Sequence, residues 1–278
     1  MVFLDRLARA WDANDSMLCV GLDPDTDRFP AGMGRQREDV STFLGQIIDA
    51  TADLVCAYKP QIAHFAAIGA ERELERSIDR IRQRAPEALV ILDAKRGDIG
   101  STAAMYAREA FERYDADAVT VNPYLGTDGL QPFLDHADRG VVILCRTSNP
   151  SSAELQNRPG GQPLFEQVAE LAAGPWNARG NVMMVAGATH PAELARIREL
   201  APEVPLPVPG LGAQGGDPAT IVRAGLDARN RGLVVSSSRA ILYAGDGDDF
   251  AEAARAEARR ARDALRAARD AANRPENA

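Results

Sequence analysis

The feature that most constrains this chain is an alternation sustained over most of its length. Short apolar runs are each followed by a stretch with helical periodicity. Eight runs read as strands: Met17–Leu22, Leu54–Lys59, Leu89–Ala94, Ala118–Val121, Val141–Cys145, Val182–Ala186, Leu206–Val208 and Leu233–Ser236. They lack a clean period of two, as strands buried on both faces should. The amphipathic stretches Asp39–Ala52, Glu71–Arg84, Ser101–Arg113, Pro163–Ala173, Pro191–Leu200 and Pro218–Arg229 predict intervening helices. Several open with helix-start signals, among them proline in the first turn after His190 and after Asp217. Eight such repeats predict a single α/β domain over residues 1–278, a (β/α)8 TIM barrel. A doubly wound open sheet usually needs fewer repeats, and no Gly-x-Gly-x-x-Gly follows the first strand. Asp248–Asp270 predicts a mixed-charge helix closing the barrel, with a tail beyond residue 272 that is expected to fray.

Several functional classes fall away. The apolar runs are far too short to span a bilayer, and the charged Asp5, Arg6, Arg9 and Asp12 interrupt any signal-peptide pattern, so no membrane partner is expected. A net charge of −8 argues against a nucleic-acid surface. Cys19, Cys56 and Cys145 each sit in a short apolar run without metal-like spacing and read as reduced core residues of a cytoplasmic protein.

Lysine usage narrows the search for chemistry. Of 32 Lys and Arg residues, only Lys59 and Lys95 are lysine. Lysine differs from arginine in being a compact ammonium that can release its proton when its surroundings are tuned. In a barrel of this type function collects where strands end at the C-terminal face. Asp23 follows the first predicted strand, Lys59 ends the second, and Asp93-Ala94-Lys95 ends the third. Both lysines therefore fall at the functional end.

Residues two apart on a strand share a face, so Asp93 and Lys95 are expected side by side. With Lys59 and Asp98 they form an alternating carboxylate–ammonium cluster. Such a cluster can be a structural ion-pair network. A metal site is disfavoured by lysine between the carboxylates. The third reading is a charged proton donor beside a carboxylate that senses substrate charge, and the position at the strand ends favours it.

A second feature is Pro209-Gly210-Leu211-Gly212-Ala213-Gln214-Gly215-Gly216, followed later by Ser236-Ser237-Ser238-Arg239. Glycines bare backbone N–H groups, and the segments after strands seven and eight are where barrels hold phosphate. Arg239 would supply a fork for phosphate oxygens. Two long connections, Asp23–Glu38 and Arg146–Gln162, have the length of lids or binding loops.

Taken together, Asp93-x-Lys95-x-x-Asp98, Lys59, Gly210-x-Gly212-Ala213-Gln214-Gly215-Gly216 and Arg239 resemble the orotidine 5′-phosphate decarboxylase family. Leu92-Asp93-Ala94-Lys95-Arg96-Gly97-Asp98-Ile99-Gly100-Ser101-Thr102 resembles its longer bacterial subgroup. The resemblance runs from Leu22-Asp23 to Arg239 and implies a cofactor-free decarboxylase of pyrimidine biosynthesis. It implies that Lys95 donates a proton to C6 of the pyrimidine. Asp93 would sit near the departing carboxylate, Lys59 would hold Asp93 and a ribose hydroxyl, and Asp23 would bind the ribose. Ser148 would contact the ring, with Pro209, Gly212 and Gln214 around ring and phosphate and Arg239 on the phosphate. Asp98, with Ile99 and Thr102, would come from the other subunit of a homodimer.

The chemistry is coherent with that implication. Loss of CO2 from C6 of orotate leaves a carbanion without an adjacent carbonyl, so a site without an electron-sink cofactor must supply electrostatics. Three other readings stand beside this one. A magnesium-dependent β-keto sugar-phosphate decarboxylase or epimerase shares Asp-x-Lys-x-x-Asp but wants a carboxylate where the second strand ends in Lys59. A Schiff-base aldolase could use either lysine, and a phosphate-binding barrel need not be catalytic. His64, His136 and His190 show no pairing logic, Trp11 and Trp176 read as packing anchors, and Arg96 reads either as a substrate contact or as an ion-pair partner.

Overall fold

Eight parallel strands form where the apolar runs lie. They are β1 (Leu18–Leu22), β2 (Ala57–Pro60), β3 (Leu89–Arg96), β4 (Ala118–Val121), β5 (Gly140–Arg146), β6 (Val182–Ala186), β7 (Leu206–Pro209) and β8 (Leu233–Ser237). The computed structural model describes residues 2–211 and 216–273. The strands follow the sheet order β6-β5-β4-β3-β2-β1-β8-β7. Between the outermost two, the Met184 N–H donates to the Pro205 carbonyl at 3.0 Å and the Ala188 N–H to the Pro209 carbonyl at 3.0 Å. The result is a near-closed barrel in one α/β domain.

Helices cover the outside: Val40–Thr51, Glu71–Arg84, Gly100–Arg108, Thr127–Leu134, Leu164–Ala173, Pro191–Leu200, Pro218–Gly225 and Phe250–Ala272. The predicted helix Ser101–Arg113 starts one residue earlier and changes to a π-type turn over Glu109–Arg113. The predicted Pro218–Arg229 stops at Gly225, because Leu226 is extended and the Asp227 carboxylate takes the N–H groups of Arg229 and Arg231 at 2.9 and 2.8 Å. That turn competes successfully with a further helical turn.

The N-terminal segment forms a helix, Phe3–Ala13, that plugs the lower end of the barrel. Phe3 and Leu7 are fully buried against interior residues of the strands, including Cys19, Ile91, Val142 and Val234. Gly140 opens β5 because a Cβ there would collide with the Phe3 ring. All three cysteines are buried and unpaired. Trp11 and Trp176 anchor through Nε1–H, to the Leu233 carbonyl at 2.8 Å and to Thr127 Oγ1 at 2.9 Å.

With one end plugged, the other carries the long connections. The first is pinned by Tyr243, whose hydroxyl donates to the Asp23 carbonyl at 3.1 Å and accepts the Asp25 N–H at 2.8 Å. Phe29 from the same loop stacks on Phe43 at 4.4 Å. The second is organised by Arg146, buried at the end of β5. Its guanidinium reaches Ser152 Oγ, the Thr147 carbonyl at 3.2 Å and Gln156 Oε1 at 3.4 Å, with Glu193 at 3.7 Å. A buried cation so paired fixes the path of the loop over the barrel mouth.

Candidate active site

Lys59 and Asp93 approach each other because β2 and β3 are neighbours in parallel register, with Tyr58 opposite Val90. Lys59 Nζ donates to Asp93 Oδ2 at 2.6 Å, and Lys95 Nζ donates to Asp93 Oδ1 at 2.5 Å. Asp93 thus sits between two ammonium groups, as its position in the sequence suggested.

Regular strand alternation is not what brings Lys95 there. The β3–β4 register jumps between Leu92 and Arg96, and Lys95 has a left-handed φ of 46°. A side chain with a Cβ takes that conformation rarely, and such outliers concentrate at functional sites. Thr120, at the middle of β4, meets the irregular stretch. Its Oγ1 donates to Asp93 Oδ1 at 2.9 Å and accepts the N–H groups of Ala94 and Lys95 at 2.9 and 2.8 Å.

Burial alone would drive the Asp93 carboxyl toward its neutral form, but Lys59 and Lys95 outweigh it and hold the group well below the usual carboxylate range. Burial alone would likewise discharge Lys59, and the carboxylates of Asp93 and Asp23 reverse this and raise its pKa. Both groups are therefore ionised at neutral pH. The side chain of Lys95 is 47% exposed against 13% for Lys59 and 8% for Asp93. Both ammoniums border the cavity, and Lys95 is the more open of the two to a bound molecule.

These groups line a cavity of about 450 Å³ at the barrel mouth. Its deep wall is apolar, from Ile91, Val142, Leu144 and Val185, and its upper wall carries Ser148, Gln156, Pro209 and Ser236. The volume is that of a small-molecule site. Asp93 has both oxygens committed to ammonium groups, which leaves it poorly disposed to chelate a divalent cation.

The remaining sequence candidates fall into three groups. Ser148 and Pro209 line the cavity. Asp23 follows β1 at the same end, and its Oδ1 is buried without a hydrogen-bond partner among the described residues, an acceptor left unsatisfied. Arg239 begins the short helix Arg239–Leu242 after β8 and is exposed. Gly212 and Gln214 lie outside the described residues.

The third group departs from the expected four-membered cluster. Within one chain Asp98 is not joined to the lysines; its Oδ1 accepts the Ile99 N–H at 2.8 Å. Ile99 and Thr102 are exposed, at the cap and first turn of the helix Gly100–Arg108. The cluster is therefore Lys59–Asp93–Lys95, with Asp98 set apart. Arg96 makes a bidentate ion pair with Glu109 at 2.8–3.1 Å and lies 4.5 Å from the Tyr106 ring centroid, which favours the ion-pair reading.

Sequence reasoning missed Thr120 and made no role for Gln156. A threonine inside a strand buried on both faces was the one available signal for the first. For the second there was none, because only the fold of the 147–156 loop brings Gln156 Oε1 to the Thr147 N–H at 2.8 Å.

Comparison with known proteins gives a consistent picture. The profile of the "Orotidine 5'-phosphate decarboxylase / HUMPS family" matches residues 16–256. The orotidine 5′-phosphate decarboxylase of Azoarcus sp. (strain BH72) is 57% identical over 270 residues, covering 97% of this chain and 100% of the relative. That of Dechloromonas aromatica (strain RCB) is 56% identical, covering 95% and 98%. Among solved structures, the Leishmania donovani OMP decarboxylase superposes with a TM-score of 0.84 at 38% identity, over 97% of this chain and 99% of that one. A putative orotidine-monophosphate decarboxylase from Toxoplasma gondii gives 0.87 at 35% identity, over 96% and 97%.

Proposed function

This chain belongs to the orotidine 5′-phosphate decarboxylase / HUMPS family, and we propose that the Lys59–Asp93–Lys95 cluster performs its reaction with Lys95 as the proton donor. The chain decarboxylates orotidine 5′-phosphate in pyrimidine biosynthesis and is a carbon–carbon lyase. The observation that carries the assignment of roles is the Asp93 carboxylate held between two ammoniums, with only Lys95 well exposed to the cavity.

In the proposed step the C6–carboxylate bond breaks, CO2 leaves, and the electron pair stays on C6. The Lys95 ammonium beside C6 stabilises that charge as it develops and then transfers a proton from Nζ to C6. The neutral amine regains its proton from water. Asp93, ionised beside the substrate carboxylate, opposes the ground state more than the transition state. Lys59 keeps Asp93 ionised and offers N–H to a ribose hydroxyl, whose other contact is the Asp23 carboxylate. Ser148 faces the ring.

The rival within this family is a metal-dependent sugar-phosphate enzyme. A lysine, not a carboxylate, stands at the penultimate position of β2, and it already occupies Asp93 Oδ2. Both facts favour the cofactor-free reading.

The phosphate is assigned to Arg239 and the glycine-rich connection after β7, of which Gly212 and Gln214 are part. Remote binding of this kind holds the substrate against an environment hostile to its carboxylate. Arg239→Ala is expected to weaken uridine 5′-phosphate far more than uridine. A lost charge-assisted contact is worth roughly 1.5–3 kcal/mol, so calorimetry should read a tenfold or larger loss for the nucleotide alone. Equal weakening of both ligands would remove Arg239 from the phosphate site.

Asp98, Ile99 and Thr102 are assigned to the partner's site in a two-fold homodimer. Two features support this: the separation of Asp98 from its own cluster, and the exposed apolar side chains of Ile99, Met105, Tyr124 and Leu125 on that flank. Exposed apolar groups gathered near one edge are what a subunit interface covers. Among the described residues no helix is long and apolar enough to cross a membrane. The three buried, unpaired cysteines fit a cytoplasmic enzyme.

A further inference from the structure

We infer that Thr120 is a positioning residue for the decarboxylation: its single hydroxyl fixes both the Asp93 carboxylate and the backbone from which Lys95 projects. Leu92 pairs with Val119 and Arg96 with Val121, so Asp93, Ala94 and Lys95 on β3 face Thr120 alone on β4. Such a bulge leaves main-chain groups without their ladder partners. Two successive N–H groups, of Ala94 and Lys95, instead converge on Thr120 Oγ1 at 2.9 and 2.8 Å. The side chain stands in for a missing main-chain carbonyl.

A hydroxyl has two lone pairs and one hydrogen. Both lone pairs are taken by those N–H groups, so the hydrogen is directed to its remaining neighbour, Asp93 Oδ1 at 2.9 Å. Asp93 is then held at both oxygens, Oδ1 by Thr120 and Lys95 and Oδ2 by Lys59. It cannot rotate away from the cavity without breaking three contacts. The same oxygen stabilises the left-handed φ of 46° at Lys95. Thr120 is 3% exposed, so water is a poor substitute for it. β-Branching restricts χ1 further, which keeps the hydroxyl aimed.

Thr120 thus acts through Asp93 and Lys95 and need not touch substrate. Its loss should appear in kcat and much less in nucleotide affinity. The inference rests on the reading of Lys95 as donor, and the two can fail separately. An active Lys95→Ala enzyme would overturn the donor reading, whatever Thr120 does. A fully active Thr120→Val enzyme alongside an inactive Lys95→Ala enzyme would overturn only this inference.

Thr120→Val keeps the shape and removes the donor and both acceptors; Thr120→Ser keeps the hydroxyl. Misplacement of reacting groups by about 1 Å can cost on the order of 100-fold. On that scale Thr120→Val should lose about 100-fold in kcat, with uridine 5′-phosphate affinity changed less than about threefold, and Thr120→Ser should recover most of the rate. Thermal unfolding of both variants separates misplacement from collapse. If Thr120→Val fails to fold, Thr120→Ser is read against Thr120→Ala, and the serine enzyme must be the faster by roughly tenfold or more. Wild-type kcat in Thr120→Val, equal impairment of the valine and serine variants, or parallel loss of kcat and nucleotide affinity would each overturn the inference. So would equal rates in the serine and alanine variants.

Discussion

Lys95→Ala should abolish measurable decarboxylation while the protein still binds uridine 5′-phosphate. In the proposed mechanism the substitution removes both the ammonium that stabilises charge at C6 and the proton that C6 receives. General acid catalysis alone contributes roughly 10²–10⁴-fold, and electrostatic stabilisation of the developing charge adds to it. Affinity for the product should change little, because the phosphate and ribose contacts are assigned to other residues and a group acting in the transition state is not required for ground-state binding. Lys95→Arg should fail as well. A guanidinium keeps its proton at any working pH and is too large for the contact that Lys95 Nζ makes with Asp93 Oδ1 at 2.5 Å. The paired measurements are steady-state turnover and calorimetric titration with uridine 5′-phosphate. Substantial turnover by either variant would take Lys95 out of the donor role.

Mixing two inactive proteins should restore activity, if Asp98 serves the partner's site. Lys95→Ala and Asp98→Ala dimers are each expected to be nearly inactive. After subunit exchange, each hybrid has one site carrying both substitutions and one carrying neither. Random exchange makes about half of all dimers hybrids, so roughly a quarter of wild-type activity should return. Were Asp98 to act within its own subunit, every site would keep one defect and mixing would restore nothing. Exchange is verified independently by mass tags on the two proteins. Verified exchange without recovery of activity would sink the shared site.

The barrel was legible because strands buried on both faces are written as uninterrupted apolar runs, and the eight runs recur at the strand positions. Helix ends were less so. Leu226 turns away from the helix before it because the Asp227 carboxylate captures two later N–H groups, a competition that periodicity does not register. The helix Thr127–Leu134 is short and has Pro132 inside it, which masks its pattern. At the site, scarcity of lysine pointed to Lys59 and Lys95, and both stand at the Asp93 carboxylate.

Neighbouring positions on one strand were read as a simple alternation. The bulge between Leu92 and Arg96, and the left-handed Lys95 it carries, have no local signature in Asp-Ala-Lys-Arg. They depend on Thr120, some 25 residues away in the chain, and therefore on the sheet as a whole. Asp98 differs again: among the described residues its carboxylate accepts the Ile99 N–H and does not join the cluster, which is why its role is proposed at a subunit interface. Arg96 allowed two readings until the fold brought Glu109 and Tyr106 to it.

The central claim is that the side chains of this chain carry out the decarboxylation without a metal or organic cofactor. It is tested most directly by adding protein dialysed against chelator to orotidine 5′-phosphate and following the loss of substrate absorbance. Full turnover, with one uridine 5′-phosphate formed per substrate consumed and no change on returning magnesium, is the expected result. Turnover that collapses in chelator and returns with the metal would contradict the claim and favour the metal-dependent rival.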